Sequence, residues 1–193
     1  KRSSVVSHAK ALGYIPKSKT ASKAVVDINL SYTSNIETTS FVLKKGVQIL
    51  KTNIDGTTLT FTTINNYSAS IIKDTINSNN YTISFPGVTV YEGEYTSTTE
   101  VYDSLSKLIN IKNIDVDLST LVVSVRDPQK ETYENYVYAN SLLDIGPNTK
   151  VFFIQEGFDG KFQIYFGDGV FGTQPADNSV IVMSYIVTHG AAG

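Results

Sequence analysis

Residues 167–172, Gly167-Asp168-Gly169-Val170-Phe171-Gly172, spell G-x-G-x-x-G directly after a strand-like run, the spacing that in a dinucleotide fold cradles a pyrophosphate. That chemistry needs a helix to follow, because the phosphate sits on helical N–H groups. Here Pro175 and the polar run Ala176-Asp177-Asn178-Ser179 lead into another strand pattern. The reading is therefore a tight β-turn cluster: glycines permit the bends, and Phe166, Val170 and Phe171 are expected to bury its flanks. Asp115-Val116-Asp117-Leu118-Ser119 opens like a calcium loop, but Thr120 stands where the mid-loop glycine belongs and Arg126 where the closing glutamate belongs. Its carboxylates are expected to be solvated at a strand edge. With His8 and His189 the only histidines and no cysteine, no zinc set can be assembled, and neither histidine sits in a nucleophile or base motif. Nothing singles out a carboxylate pair for glycoside chemistry. No catalytic, cofactor or metal residue is assigned, and the chain reads as a non-enzyme that takes no small-molecule substrate.

The elements that position these residues are mainly strands. Val5, Val6, Ala9 and Leu12 fall one helical turn apart, with Ser3 or Ser4 as N-cap and Gly13 as stop, which predicts one short N-terminal helix. From Val26 onward apolar and polar residues alternate, the two-residue period of a half-buried strand. Asp55-Gly56 sits between 48–50 and 59–62, and Asp159-Gly160 between 151–154 and 162–166. Both pairs suit tight hairpins, since Asp-Gly adopts positive φ readily. Further strands are predicted at 81–85, 89–91, 121–125, 136–138 and 180–187, rich in Thr, Tyr and Val. Val101, Leu105, Leu108 and Ile109 could share a helical face, so 101–109 is read as a helix.

The expected fold is mainly β (α+β), with antiparallel hairpin-rich sheets in two small subdomains. Residues 1–95 would hold the helix and one β subdomain, 96–111 a connection, and 112–193 a C-terminal β subdomain. The residues assigned a structural turn or core role are Phe166, Gly167, Asp168, Gly169, Phe171, Gly172, Asp159 and Gly160.

Composition narrows the partners. With 16 Lys+Arg against 18 Asp+Glu, a net charge of -2 offers phosphate backbones no bulk attraction, so nucleic acid is not expected. Lys17/Lys19/Lys23 and Lys44/Lys45 are read as solvated faces. No apolar run approaches the roughly 20 residues that span a bilayer, and no membrane partner is expected. Without cysteine, packing and hydrogen bonds must hold the fold. The lack of an initiator Met and the end at Gly190-Ala191-Ala192-Gly193 suggest a piece of a longer protein.

Two blocks resemble a known family. The stretch His8-Ala9-Lys10-Ala11-Leu12-Gly13-Tyr14-Ile15-Pro16-Lys17-Ser18-Lys19-Thr20-Ala21 is similar to a helix and Gly-Tyr corner of baseplate J-like wedge proteins of contractile phage tails. The C-terminal signature is the stronger match: Phe153-Ile154-Gln155-Glu156, Asp159-Gly160-Lys161-Phe162, the Phe166–Gly172 run, then Tyr185 and Thr188-His189-Gly190. The resemblance implies a structural virion subunit without a cofactor, assembled in the host cytoplasm. It also implies a homodimer that binds other wedge proteins and joins wedges into the inner baseplate ring around the hub. A carbohydrate- or receptor-binding β-module is the alternative, raised by 12 Tyr among many Ser, Thr and Asn, and weakened by the lack of Trp.

Overall fold

The computed structural model describes residues 17–35, 39–54, 56–77, 79–139, 145–157 and 160–190. The expected N-terminal helix, Asp55 and Asp159 lie outside them. Among the described residues all regular structure is strand: β1 (Lys23–Thr33), β2 (Ser40–Leu43), β3 (Gln48–Ile54), β4 (Thr57–Thr63), β5 (Tyr67–Lys73), β6 (Asn80–Glu92), β7 (Glu94–Val101), β8 (Leu108–Asn110), β9 (Val116–Arg126), β10 (Glu134–Tyr138), β11 (Val151–Glu156), β12 (Phe162–Phe166) and β13 (Val180–Val187). The described residues divide into two compact units, one holding residues 17–20 and 97–185, the other 21–96 and 186–190.

In the second unit a six-stranded sheet runs β2-β5-β6-β4-β3, with β1 also paired to β6. Its core is Leu43, Ile83, Phe85, Val88 and Val90, packed by Val26, Ile28, Phe61 and Ile71. The two strands expected at 81–85 and 89–91 are one continuous strand, β6, because Pro86-Gly87 makes a bulge rather than a break. Val26 pairs with Val88 while Ile28 pairs with Phe85, so β6 carries one extra residue there. Gly87 takes φ 67° and donates its N–H to Asp27 Oδ1 at 2.8 Å. The extra residue shifts the buried phase from Tyr81, Ile83 and Phe85 to Val88 and Val90, keeping both halves facing one core. At the first Asp-Gly pair, Ile54 pairs with Thr57 and Gly56 has φ 81°, the positive φ expected of that glycine.

The first unit contains a seven-stranded sheet ordered β7-β13-β9-β10-β11-β12-β8. Its pairings are mostly antiparallel, as expected of hairpin-rich sheets, with one exception: β10 and β11 run parallel, Val137 beside Val151 and Tyr138 beside Phe152. Val116, Val123, Ile164, Ile181, Met183 and Tyr185 are fully buried in it. The second hairpin is looser than expected. Glu156 pairs with Phe162, and the connection 157–161 closes through Gly157 N–H on Lys161 O at 2.7 Å, with Gly160 at φ 78°.

Residues 101–109 are not the expected helix. Asp103 starts one turn, its Oδ1 accepting Leu105 N–H and its carbonyl accepting Lys107 N–H; Lys107 then enters the left-handed region at φ 54° and β8 begins. The helical spacing was real for a single turn, but Leu105 is 92% exposed and meets no core that would extend it.

Candidate functional site

The loop after β12 is built around close backbone approach. Phe166 is buried, its ring edge-on to Tyr136 at 5.2 Å and to Tyr102 at 5.8 Å, which roots the loop in the core. Burial first, and then nearby carboxylates, raise the phenol pKa of both tyrosines above the ordinary value, against the lowering effect of a Gln174 side-chain hydrogen bond at Tyr102. A methyl group on Gly167 would overlap the Gly172 carbonyl, and one on Gly172, at φ 87°, would come 2.6 Å from Val151 Cγ2. Gly169 has φ 89° but faces open space.

Every backbone N–H from Gly169 to Thr173 is engaged by the protein itself. Gly169 donates to Gly172 O at 3.0 Å, Val170 and Phe171 donate to Asp168 Oδ1 at 2.9 Å each, Gly172 donates to Gly146 O at 3.1 Å, and Thr173 donates to Thr149 O at 2.9 Å. The bonds from Phe171 and then Val170 hold the Asp168 carboxyl below its ordinary pKa. These N–H groups are not available to cradle a phosphate, and a carboxylate occupies the place an anion would take. No helix follows. The fingerprint is a turn by geometry as well as by context.

The loop departs from expectation at its tip. Val170 and Phe171, expected to bury the flanks, are 63% and 46% exposed, because Asp168 ties their backbone into a bend that turns both side chains outward. A rigid, internally satisfied loop thus presents two apolar side chains to solvent. Of the other assigned residues, Gly160 lies in the β11–β12 connection, 4.0 Å from Glu156 Oε1 measured from where its Cβ would stand.

The rejected sites sort as follows. Asp117 is 1% exposed rather than solvated: Oδ1 accepts Ser119 N–H at 2.9 Å and Ser119 Oγ–H at 2.7 Å. Asp115 pairs with Lys19 at 2.9 Å, so that lysine belongs to an ion pair rather than an anion patch. Among the described residues no group of three His, Cys, Asp or Glu could hold a metal. His8 lies outside the described residues. His189 Nδ1 is 3.2 Å from Oε1 of Glu92, which also accepts the Thr188 hydroxyl, so this histidine meets a buried carboxylate and not a nucleophile. Sequence reasoning passed over Glu92; its only signal is a charged residue on the buried phase of Val88 and Val90.

The comparisons with known proteins bear on the same region. Residues 94–188, which include the loop, match the family model described as bacteriophage baseplate wedge protein gp6, third domain. The chain is 29% identical to baseplate wedge protein gp6 of Enterobacteria phage T4 over 206 aligned residues, covering 98% of this chain and 29% of that protein. It therefore spans less than a third of the length of that relative. What the comparisons give is a similarity: over residues 94–188 to the third domain of bacteriophage baseplate wedge protein gp6, and along nearly the whole chain to part of its phage T4 form.

Proposed function

We propose that this chain is a structural part of a phage tail baseplate wedge, located in the virion tail, without catalytic activity, and that the 166–172 loop is one of its preformed assembly contacts. The observation that carries the reading is the loop tip. Val170 and Phe171 are solvent-facing on a backbone whose amides are already engaged, so burying them against another protein costs little ordering entropy. Aromatic anchors on pre-organised backbone are the usual centres of protein interfaces. Self-association and the joining of wedges into a ring around the hub fit a chain that keeps apolar groups such as Val170 and Phe171 exposed.

The test replaces both tip residues, Val170→Ser with Phe171→Ser, in the full protein. The expected result is an unchanged unfolding midpoint together with loss of incorporation into tails. Normal incorporation of the folded double variant would remove the loop from the reading. Turnover of a substrate by the purified protein would remove the structural role.

A further inference from the structure

β8 is the last strand of its sheet, and its pairing to β12 leaves one side open among the described residues. The register sets Leu108 against Tyr165, Ile109 against Ile164 and Asn110 against Gln163. Ile111 donates its N–H to Phe162 O at 2.8 Å. Residues two apart in an antiparallel strand point their backbone groups to the same side, so Ile109 and Ile111 face β12. Leu108 and Asn110 aim their N–H and C=O groups away from it.

The side chains on this strip continue the same polarity. Gln155 Nε2 donates to Gln163 Oε1 at 3.0 Å, and Gln163 Nε2 donates to Asn110 Oδ1 at 2.7 Å. This is an amide ladder crossing β11, β12 and β8, with every donor directed toward the open edge, and it ends on the Asn110 amide nitrogen. Alongside runs an apolar row: Phe153 stacks on Tyr165 with ring centroids 5.1 Å apart, and Leu108, next in that row, is 41% exposed. Backbone amides, a side-chain amide donor and an apolar row therefore all stop at one line.

We infer that β8 accepts an extended segment of a different polypeptide chain as an added strand, carrying an Asn or Gln opposite Asn110 and an apolar residue opposite Leu108. Ladders of stacked amides and rows of aromatic side chains repeat from strand to strand when strands are added, and the open Asn110 donor calls for an amide oxygen in that register. A three-residue edge supplies only a few backbone bonds, which suits a joint that forms and releases. The inference rests on the assembly role proposed above.

The experiment is residue-resolved amide hydrogen exchange on the free protein and on purified intact tails that contain it. In the free protein Leu108 and Asn110 should exchange rapidly while Ile109 and Ile111 are protected. In tails the two outward amides should slow by about tenfold or more, and Asn110→Ala should lessen that gain while leaving Ile109 and Ile111 as they were. Equal, fast exchange of Leu108 and Asn110 in both states overturns the inference. So does protection that appears in the free protein as its concentration rises, which would mean a second copy is the occupant. Full protection retained by Asn110→Ala overturns the amide match. Absence of the protein from tails removes the assembly role and this inference together, whereas incorporation with exposed outward amides removes only this inference.

Discussion

Alanine at Gly167 and alanine at Gly169 probe the loop in opposite ways. At Gly169 the added methyl meets nothing within 4 Å, so the only cost is holding an L-residue at φ 89°. That cost is about 1–2 kcal/mol, less about 0.4–1 kcal/mol because alanine also restricts the unfolded chain, leaving about 1 kcal/mol. At Gly167 the φ is ordinary but the methyl would overlap the Gly172 carbonyl and the Phe171 oxygen, which are backbone atoms that cannot rotate aside. The loop must open, which strains or breaks the bonds of Gly169 N–H to Gly172 O and Gly172 N–H to Gly146 O. At about 1 kcal/mol per bond and about 1–3 kcal/mol for overpacking, the expected loss is about 3 kcal/mol or more. For a chain of this size each kcal/mol moves the thermal midpoint by about 2–4 °C. Gly169→Ala should therefore lower it by about 3 °C and Gly167→Ala by about 9 °C, with the near-ultraviolet circular dichroism of the Tyr102, Phe166 and Tyr136 cluster reporting the same order. Equal midpoints, or a larger drop for Gly169→Ala, would refute the claim that close backbone approach, rather than positive φ, dictates the first glycine.

The Asp168 carboxyl, held below its ordinary pKa by the Phe171 and Val170 amides, binds fewer protons folded than unfolded. Its stabilising contribution is present above the unfolded carboxylate pKa of about 3.9 and is lost as pH falls through the lower folded value. An acid series of unfolding midpoints should fall more steeply for the native protein than for Asp168→Asn, and parallel curves would contradict this. Phe166→Ala removes the ring shared by Tyr102 and Tyr136 and should cost about 3–5 kcal/mol; a loss under 1 kcal/mol in urea unfolding would show that the loop is not rooted there. Asp27→Ala takes away the carboxylate that receives the Gly87 amide at the β6 bulge, and faster exchange of the Gly87 amide is the expected readout.

Much of the fold was legible because strand residues announce their period locally. The alternation in β1, the positive φ of Gly56 between β3 and β4 and the run of β13 need only neighbouring residues to be read. What was not legible depends on partners distant in sequence. Pro86-Gly87 looks like an end, and only Asp27, facing it across the sheet, makes it a bulge within one strand. Residues 101–109 have helical spacing, yet no apolar surface meets Leu105, so a single turn is all that forms. The parallel pairing of β10 with β11 leaves no local mark at all, since orientation is set by the route between strands and not by the strands themselves.

The glycine loop shows the same division inside one motif. Its glycines and Asp168 were readable as a turn because φ freedom and side-chain capping are local properties. The orientation of Val170 and Phe171 was not, because apolar residues beside a turn are ordinarily drawn inward by the hydrophobic effect. Here Asp168 captures both of their amides, which fixes the bend, and the buried place beneath the loop is filled by Phe166 between two tyrosines. Exposure at the tip is thus the consequence of a satisfied backbone above an occupied core. If Asp168→Ala allows Val170 and Phe171 to fold inward, seen as loss of their accessibility to a hydrophobic surface probe, capture of the amides is what keeps them out; if their exposure is unchanged, the occupied core alone suffices and the capping account is wrong.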